Sequence, residues 1–100
     1  SDSPDLGLTV PGKLASYMAA AKPVLASMNG AGYAAVQESG GGLVSPACDR
    51  KALADNMLAL YRMTDTERAA LGQKAYAYYA AHYRRAELLQ RLEAFTLGRG

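Results

Sequence analysis

The sequence predicts an α/β fold in which a short parallel sheet of about three strands is flanked by helices and followed by a helical C-terminal end. Two observations support this prediction. In the first half of the chain, short apolar segments alternate with helical patterns, the order of parallel strands joined by right-handed crossovers. The second half shows helical periodicity throughout. Open sheets of this kind bind ligands beyond the carboxyl ends of their strands, so a site is expected there.

The first strand and the first helix follow each other closely. The segment 5–8, "DLGL", has the apolar character of the end of a buried strand. Thr9 is then placed to cap a helix, and Pro11 suits its first turn. Alanine-rich sequence favours this helix. Pro23 ends it, because the residue before a proline is pushed out of the α region.

Two more strands and a short helix complete the alternation. The segment 23–28 is apolar and bounded by proline and Asn-Gly, as expected of a buried strand. The helix over 30–40 has Gly40 as its C-cap, and "GGLVSP" is the third strand. This is the pattern of half a doubly wound sheet. We therefore expect a three-layer, Rossmann-like partial domain whose sheet leaves an edge and a face to cover.

Three helices are expected in the second half of the chain. Asp49 is placed to cap the first of them. Its amphipathic stripe consists of Ala52, Leu53, Met57, Leu60 and Tyr61. Thr64 and Glu67 match a capping box for a helix that runs to about residue 83. The terminal helix is expected at about 84–97. Its apolar surface, formed by Leu92, Phe95 and Leu97, would contact a missing domain or, in this chain alone, a second copy.

Composition and charge exclude several classes of function. The net charge is +2, from eleven basic and nine acidic residues, too small to predict nucleic-acid binding. Cys48 is the only cysteine, so no disulfide within the chain is possible, which fits a reducing compartment. His82, the only histidine, has no second ligand at metal-binding spacing. No apolar segment approaches the ~20 residues of a membrane span, so no transmembrane segment is expected.

Four tyrosines lie close together near the end of the second of these helices, at positions 76, 78, 79 and 83. A stacking platform for nucleic acid would need them on a sheet or in a basic groove. Their helical spacing instead predicts packing in the core and against another domain.

The turn between the first strand and the first helix is the candidate binding site. Free N–H groups and the positive end of the helix dipole favour an anion there. Lys13 lies in this first turn, where an acidic residue would suit the dipole better, and a phosphate in front of it would explain the lysine. Gly7 and Gly12 would let a ligand approach the main chain. From the pattern alone, an ordinary surface lysine remains the alternative.

Several further landmarks, in order along the chain, give it a family resemblance. They are "PGKLASYMAAAKPVLAS", "GGGLVSPACDRKALADNMLALYR" and "RAALGQKAYAYYAAHYRRAELLQRLE". Together they resemble the C-terminal end of bacterial retaining glycosyltransferases of the GT-B fold, family 4, of the type that builds lipopolysaccharide O-antigens and capsules. The resemblance covers about residues 5–95. It implies that residues 1–100, whose first segment "SDSPDLGL" looks like part of a longer protein, are the C-terminal portion of a nucleotide-sugar (donor) binding domain.

The resemblance also implies a donor site in this chain. In such enzymes a nucleotide-diphosphate sugar lies in a cleft between two Rossmann-like domains, and its leaving diphosphate needs electrostatic stabilisation. The loop whose backbone amides face the donor corresponds to Gly7, Leu8, Thr9, Val10 and Pro11. Lys13 would add positive charge near the diphosphate, and Ser16 occupies the place of a ribose-binding glutamate. The resemblance assigns no catalytic residue, cofactor or metal ligand to this chain.

Two departures from the family pattern matter. Many members carry two glutamates eight positions apart; here those positions are Leu8 and Ser16, so neither carboxylate is present. We interpret this as the identity of a subgroup rather than as loss of activity. Ala21 replaces the glycine that usually precedes Lys-Pro-Val. If that position requires a positive φ, alanine costs about 1 kcal/mol there.

Three hypotheses about function follow. In the first, the parent protein transfers a sugar, with retention, from a nucleotide-diphosphate sugar (a UDP-sugar as first choice) to a glycan or lipid-linked acceptor bound by a missing domain. The 100 residues alone would be inactive, and the parent would be cytoplasmic, with peripheral attachment to the inner membrane face as an option. The second is a non-enzymatic α/β module that binds phosphate or another anion. The third is a structural domain without a site.

Overall fold

The computed structural model describes residues 8–98, with side chains described for 8–93. Its elements follow the predicted order of strand, helix, strand, helix, strand and then helices. They are β1 (Leu8–Thr9), a 3₁₀ turn (Pro11–Lys13), α1 (Leu14–Ala19), β2 (Val24–Ser27), α2 (Gly30–Ser39), β3 (Gly42–Ser45), α3 (Arg50–Arg62), α4 (Asp65–Tyr78), a π-helical turn (Tyr79–Tyr83) and α5 (Arg84–Gly98).

The three strands form one parallel sheet in the order β1-β2-β3, which confirms the predicted α/β fold. Leu25 of β2 lies opposite Leu8 of β1 and Leu43 of β3. Because both crossovers step in the same direction, right-handed connections place α1 and α2 on the same face of the sheet. The carboxyl ends of all three strands lie at one edge, where the chain leaves β1 for the 3₁₀ turn.

The main core lies between this face of the sheet and the helices that cover it. Its buried residues are Leu14, Met18, Val24, Ala26, Met28, Ala35, Val36 and Ala75. Val24 and Ala26 alternate along β2 and therefore point to the same side. α4 completes the layer by contacting both α1 and α2. It approaches closely: a Cβ at Gly72 would collide with the carbonyl oxygen of Ala21.

The opposite face of the sheet is covered less completely, by α3. Leu25 points to this side and is buried, as is Leu60 of α3. The predicted stripe of α3 is correct only in part, since Met57 and Tyr61 are 42% and 60% exposed. Periodicity identifies an apolar helix face but does not show whether a neighbour covers it. The expected three layers are present, and the exposed Leu8 shows that part of this outer face is open.

Helix caps follow the predictions where the signal is local. The Asp49 carboxylate accepts a hydrogen bond from the Ala52 amide at 3.0 Å. Thr64 and Glu67 form the capping box, because each side chain accepts from the other residue's amide, at 3.1 and 2.8 Å. Gly40 caps α2 with a φ of +64°. These caps fix where three of the helices begin or end.

One arginine joins α3 to α4. The Arg68 guanidinium donates to the carbonyl oxygens of Leu60 at 2.8 Å and Met63 at 2.6 Å, at the C-terminal end of α3. It also pairs with the Asp65 carboxylate, in the first turn of α4, at 2.6 Å. A side chain of the next helix thus satisfies the carbonyl groups of Leu60, in the last turn of α3, and of Met63, which follows the helix.

Thr9 does not cap the first helix, contrary to the prediction. It pairs with Ala26 in the sheet and is 1% exposed. The cap position is Val10, whose side chain makes no capping bond. A β-branched residue suits a strand, and pairing in the sheet outweighs the local preference for a cap. Of the first strand expected at 5–8, residues 5–7 lie outside the described part of the chain.

The end of α1 is set by Ala21 rather than by Pro23. α1 ends at Ala19, and Ala21 has a φ of +59°, in the left-handed region. The Ala21 amide donates to the Met18 carbonyl at 3.0 Å, which closes the helix. The structure confirms that this position has a positive φ, although alanine rather than glycine occupies it.

Candidate functional site

The segment 8–13, which we call the β1–α1 turn, leaves β1 at the carboxyl edge of the sheet, where open α/β sheets bind ligands. Val10 is extended and precedes the 3₁₀ turn. Apart from Thr9, the side chains of the turn are exposed. The predicted loop therefore lies on the surface at the expected edge. Gly7, the first residue of the predicted site, lies outside the described residues.

Two backbone amides at the end of this turn already donate to carbonyl groups within it. The Lys13 amide donates to the Val10 carbonyl at 2.9 Å. The Leu14 amide donates to Pro11, which itself has no N–H. A regular helix start leaves four N–H groups for other partners, and α1, with six residues, has only a short dipole. An anion at this turn would therefore depend more on the Lys13 side chain than on the amides.

The structure brings Lys13 and Ser16 together. Both line a surface cleft of about 430 Å³, which we call the lysine cleft. Its other lining residues are Tyr17, Ala20 and Lys22. The exposed Ser16 hydroxyl can donate or accept a hydrogen bond. Lys22 was not among the predicted site residues, since its position before a proline gave no functional signal.

Thr9 offers only its backbone to the predicted site. Its hydroxyl is buried and has no hydrogen-bond partner in the described structure. Thr9 lies opposite Ala26, so its side chain points toward the main core rather than toward the surface. The hydroxyl of Ser45, at the end of β3, is buried without a partner in the same way. A buried hydroxyl without a partner costs about 1–3 kcal/mol.

A second cleft, between α1 and α5, was not predicted. It has a volume of about 410 Å³, and Ser16 lines it too. Its inner wall is the π-helical turn, in which the Arg84 amide donates to the Tyr79 carbonyl. A π turn inserts one extra residue into a helix, and such insertions are frequent at functional sites. Sequence reasoning missed the cleft because helical periodicity continues through this segment and gives no signal for the insertion.

Outside the two clefts, the described residues include one small group of polar side chains, around Tyr78, and an exposed cysteine. Burial, and then the hydrogen bond from Tyr78 Oη to Glu38 Oε1 at 2.9 Å, raise the pKa of Tyr78. The exposed His82 lies against the Tyr78 ring, with centroids 4.2 Å apart. Cys48 is exposed. Among the residues whose structure is described, no group of three His, Cys, Asp or Glu could hold a metal, and no helix is both long and apolar enough to cross a membrane.

No protein-family model, no curated protein and no solved structure matches this chain. The resemblance to glycosyltransferases therefore rests on the sequence motifs. The structure adds the geometry of the site against which those motifs can be judged.

Proposed function

We propose that this chain is the C-terminal part of the donor-binding domain of a retaining glycosyltransferase. The β1–α1 turn and the lysine cleft would form one wall of the site for a nucleotide-diphosphate sugar. The observation that supports this most is the position of Lys13 and Ser16, which line one cleft beside the carboxyl edge of a parallel sheet. The positive φ of Ala21, where the resembled family carries glycine, is consistent with the resemblance.

In such a site the residues of this chain would stabilise the leaving group. Negative charge develops on the diphosphate as the glycosyl bond breaks, and a fixed cation lowers the energy of that state. Lys13 would supply the cation. Ser16 would hydrogen-bond a ribose hydroxyl, more weakly than the carboxylate whose place it takes. The sugar acceptor, a glycan or a lipid-linked molecule, would bind to the rest of the parent protein, in the cytoplasm or at the inner membrane face.

An anion-binding module without enzymatic activity is the second candidate. The observation that favours it is the presence of Lys13 beside a serine hydroxyl in the lysine cleft. An ammonium group attracts a phosphate whatever the phosphate is attached to. The two candidates differ in whether the nucleoside adds affinity.

Titration of the isotope-labelled chain with UDP, UDP-glucose and inorganic phosphate, followed by amide NMR, tests the proposal. We expect UDP to shift the amides of residues 10–16 and to bind more tightly than phosphate. Lys13→Ala should weaken UDP binding about fivefold, since an exposed charged hydrogen bond is lost. Lys74→Ala, an exposed lysine of α4, is the matched control and should leave the affinity unchanged.

Each outcome of this titration decides between the candidates. Phosphate binding as tight as UDP binding would favour the anion-binding module. An affinity for UDP that is the same in Lys13→Ala and in the unaltered chain would remove the role given to Lys13. If neither UDP nor phosphate shifts any amide at millimolar concentration, only the third hypothesis remains, that of a structural domain without a site.

A further inference from the structure

The cleft between α1 and α5, which we call the tyrosine cleft, has the composition of a second ligand site, which adjoins the lysine cleft and shares Ser16 with it. Its volume of about 410 Å³ falls in the range of small-molecule pockets, about 300–1,000 Å³. Its lining combines two aromatic rings, three polar side chains and small residues. The residues that matter here are Ser16, Ala19, Tyr79, Tyr83, Glu87 and Gln90.

The two tyrosines form a firm apolar wall. Tyr79 and Tyr83 are half-buried and pack against the main core. Their rings are stacked, with centroids 6.4 Å apart and planes inclined by 26°. The π-helical turn holds them on the same side, because four residues make nearly one turn of a π-helix. On the opposite wall Ala19 of α1 is small and leaves the space open.

Polar groups line the cleft beside this wall. The Ser16 hydroxyl and the Gln90 amide can each donate and accept hydrogen bonds, and the Glu87 carboxylate accepts them. Arg91 lies 3.6 Å from Glu87, but both side chains are more than half exposed, and such a pair is weak. Glu87 therefore keeps its acceptor capacity for a ligand.

The lining of the tyrosine cleft offers no cation for an anionic ligand. The residues described as lining it include one carboxylate and neither a lysine nor an arginine, so nothing in the lining would hold a phosphate by charge. A ligand with a C–H face for the rings and several hydroxyl groups for the polar side chains would satisfy both walls. Those are the properties of an uncharged sugar.

We propose that the tyrosine cleft binds an uncharged saccharide. The rings of Tyr79 and Tyr83 form the apolar wall against which the sugar packs, and Ser16, Glu87 and Gln90 hydrogen-bond its hydroxyls. The inference goes beyond the proposed donor site, because it concerns another cleft and a ligand without phosphate. It does not depend on whether UDP binds to the β1–α1 turn.

Amide NMR of the labelled chain, titrated separately with maltose, cellobiose and diacetylchitobiose at millimolar concentrations, tests this proposal. At least one disaccharide should shift the amides of Tyr83 and Gln90, which line only the tyrosine cleft, with a saturating dependence on sugar concentration. Gln90→Ala should weaken that binding about threefold to tenfold, because it removes one hydrogen-bonding group. Gln73→Ala, an exposed glutamine of α4 outside the cleft, is the matched control.

A second variant tests the cavity itself. Ala19→Leu should fill the cleft and abolish the sugar response, whereas Ala77→Leu, at an exposed alanine of α4, should not. The proposal is overturned if none of the three sugars shifts these amides, or if Gln90→Ala and Ala19→Leu bind as well as the unaltered chain. It is also overturned if the same amides shift only with protein concentration, since a second copy would then occupy the cleft. A UDP response at residues 10–16 without a sugar response at Tyr83 and Gln90 would remove this proposal alone.

Discussion

Replacing Ala21 by glycine should stabilise the chain slightly, because Ala21 has a φ of +59°. An L-residue in this conformation is strained by roughly 1–2 kcal/mol, and glycine is not. Two effects oppose the gain. Glycine gives the unfolded chain more freedom, which costs about 0.4–1 kcal/mol, and losing a half-buried methyl group costs about 0.4 kcal/mol. The midpoints leave a net stabilisation of about 0.4 kcal/mol.

The neighbouring substitution Ala20→Gly provides the matched control. Ala20 is exposed, and its backbone lies in the right-handed helical region, with a φ of −81°. Only the entropy of the unfolded chain changes there, so stability should fall by about 0.7 kcal/mol. The two variants should therefore differ by about 1.1 kcal/mol and lie on opposite sides of the unaltered chain.

Urea unfolding followed by circular dichroism measures this difference, and thermal unfolding checks it. For a domain of this size 1 kcal/mol corresponds to about 4–8 °C in Tm. If Ala21→Gly lowers the free energy of unfolding as much as Ala20→Gly does, Ala21 is not strained. The support that its conformation gives to the family resemblance would then be lost.

Two further substitutions test the packing by the same unfolding assay. Gly72→Ala should destabilise the chain by about 1–3 kcal/mol, because the new Cβ would meet the Ala21 carbonyl and force α4 outward. Gly12→Ala, where a Cβ would meet nothing within 4 Å, is its control, and equal losses in the two would contradict the close approach of α4. Thr9→Val should stabilise the chain by about 1 kcal/mol, since it removes a buried hydroxyl without a partner and keeps the shape. Thr9→Ser keeps the hydroxyl and should not stabilise it; a loss of stability in Thr9→Val would mean that the hydroxyl has a partner.

The order of elements and most caps were predictable because their signals are local. Asp49 accepts from an amide three residues ahead, and Thr64 bonds reciprocally with Glu67. Such bonds depend on neighbours in the sequence and need no knowledge of the rest of the fold. The parallel pairing of the strands followed from their alternation with helices, which implies right-handed crossovers.

The wrong predictions concern residues whose state depends on distant partners. Thr9 has the chemistry of a cap, yet pairing with Ala26 makes it a strand residue. The apolar side chains of α3 recur at helical spacing, as in a helix with a buried face. Met57 and Tyr61 are nevertheless exposed, because the described residues cover that face only in part. Local pattern gives the face of an element, whereas burial depends on what packs against it.

In the candidate site, too, the features with a local signal could be predicted and those that depend on distant contacts could not. The turn and Lys13 could be located from the sequence, because strand, proline and lysine follow each other within a few residues. The partnership of Ser16 with Gln90 and Tyr83 in the tyrosine cleft could not. Two of the lining residues, Tyr79 and Tyr83, lie in the π-helical turn, which gives no signal in the pattern of apolar residues.

The bonds of Arg68 have a mechanical consequence for the two faces of the sheet. α4 belongs to the layer that contains Ala75 and the main core, while α3 covers the other face through Leu60. Because the guanidinium bonds the end of α3 to the start of α4, the two helices are connected to each other although they pack on opposite faces of the sheet. Lifting α3 from its face would break these bonds or pull α4 away from the close contact at Gly72. The helix on the sparsely covered face, α3, is thereby held in place by α4, which belongs to the well-packed layer.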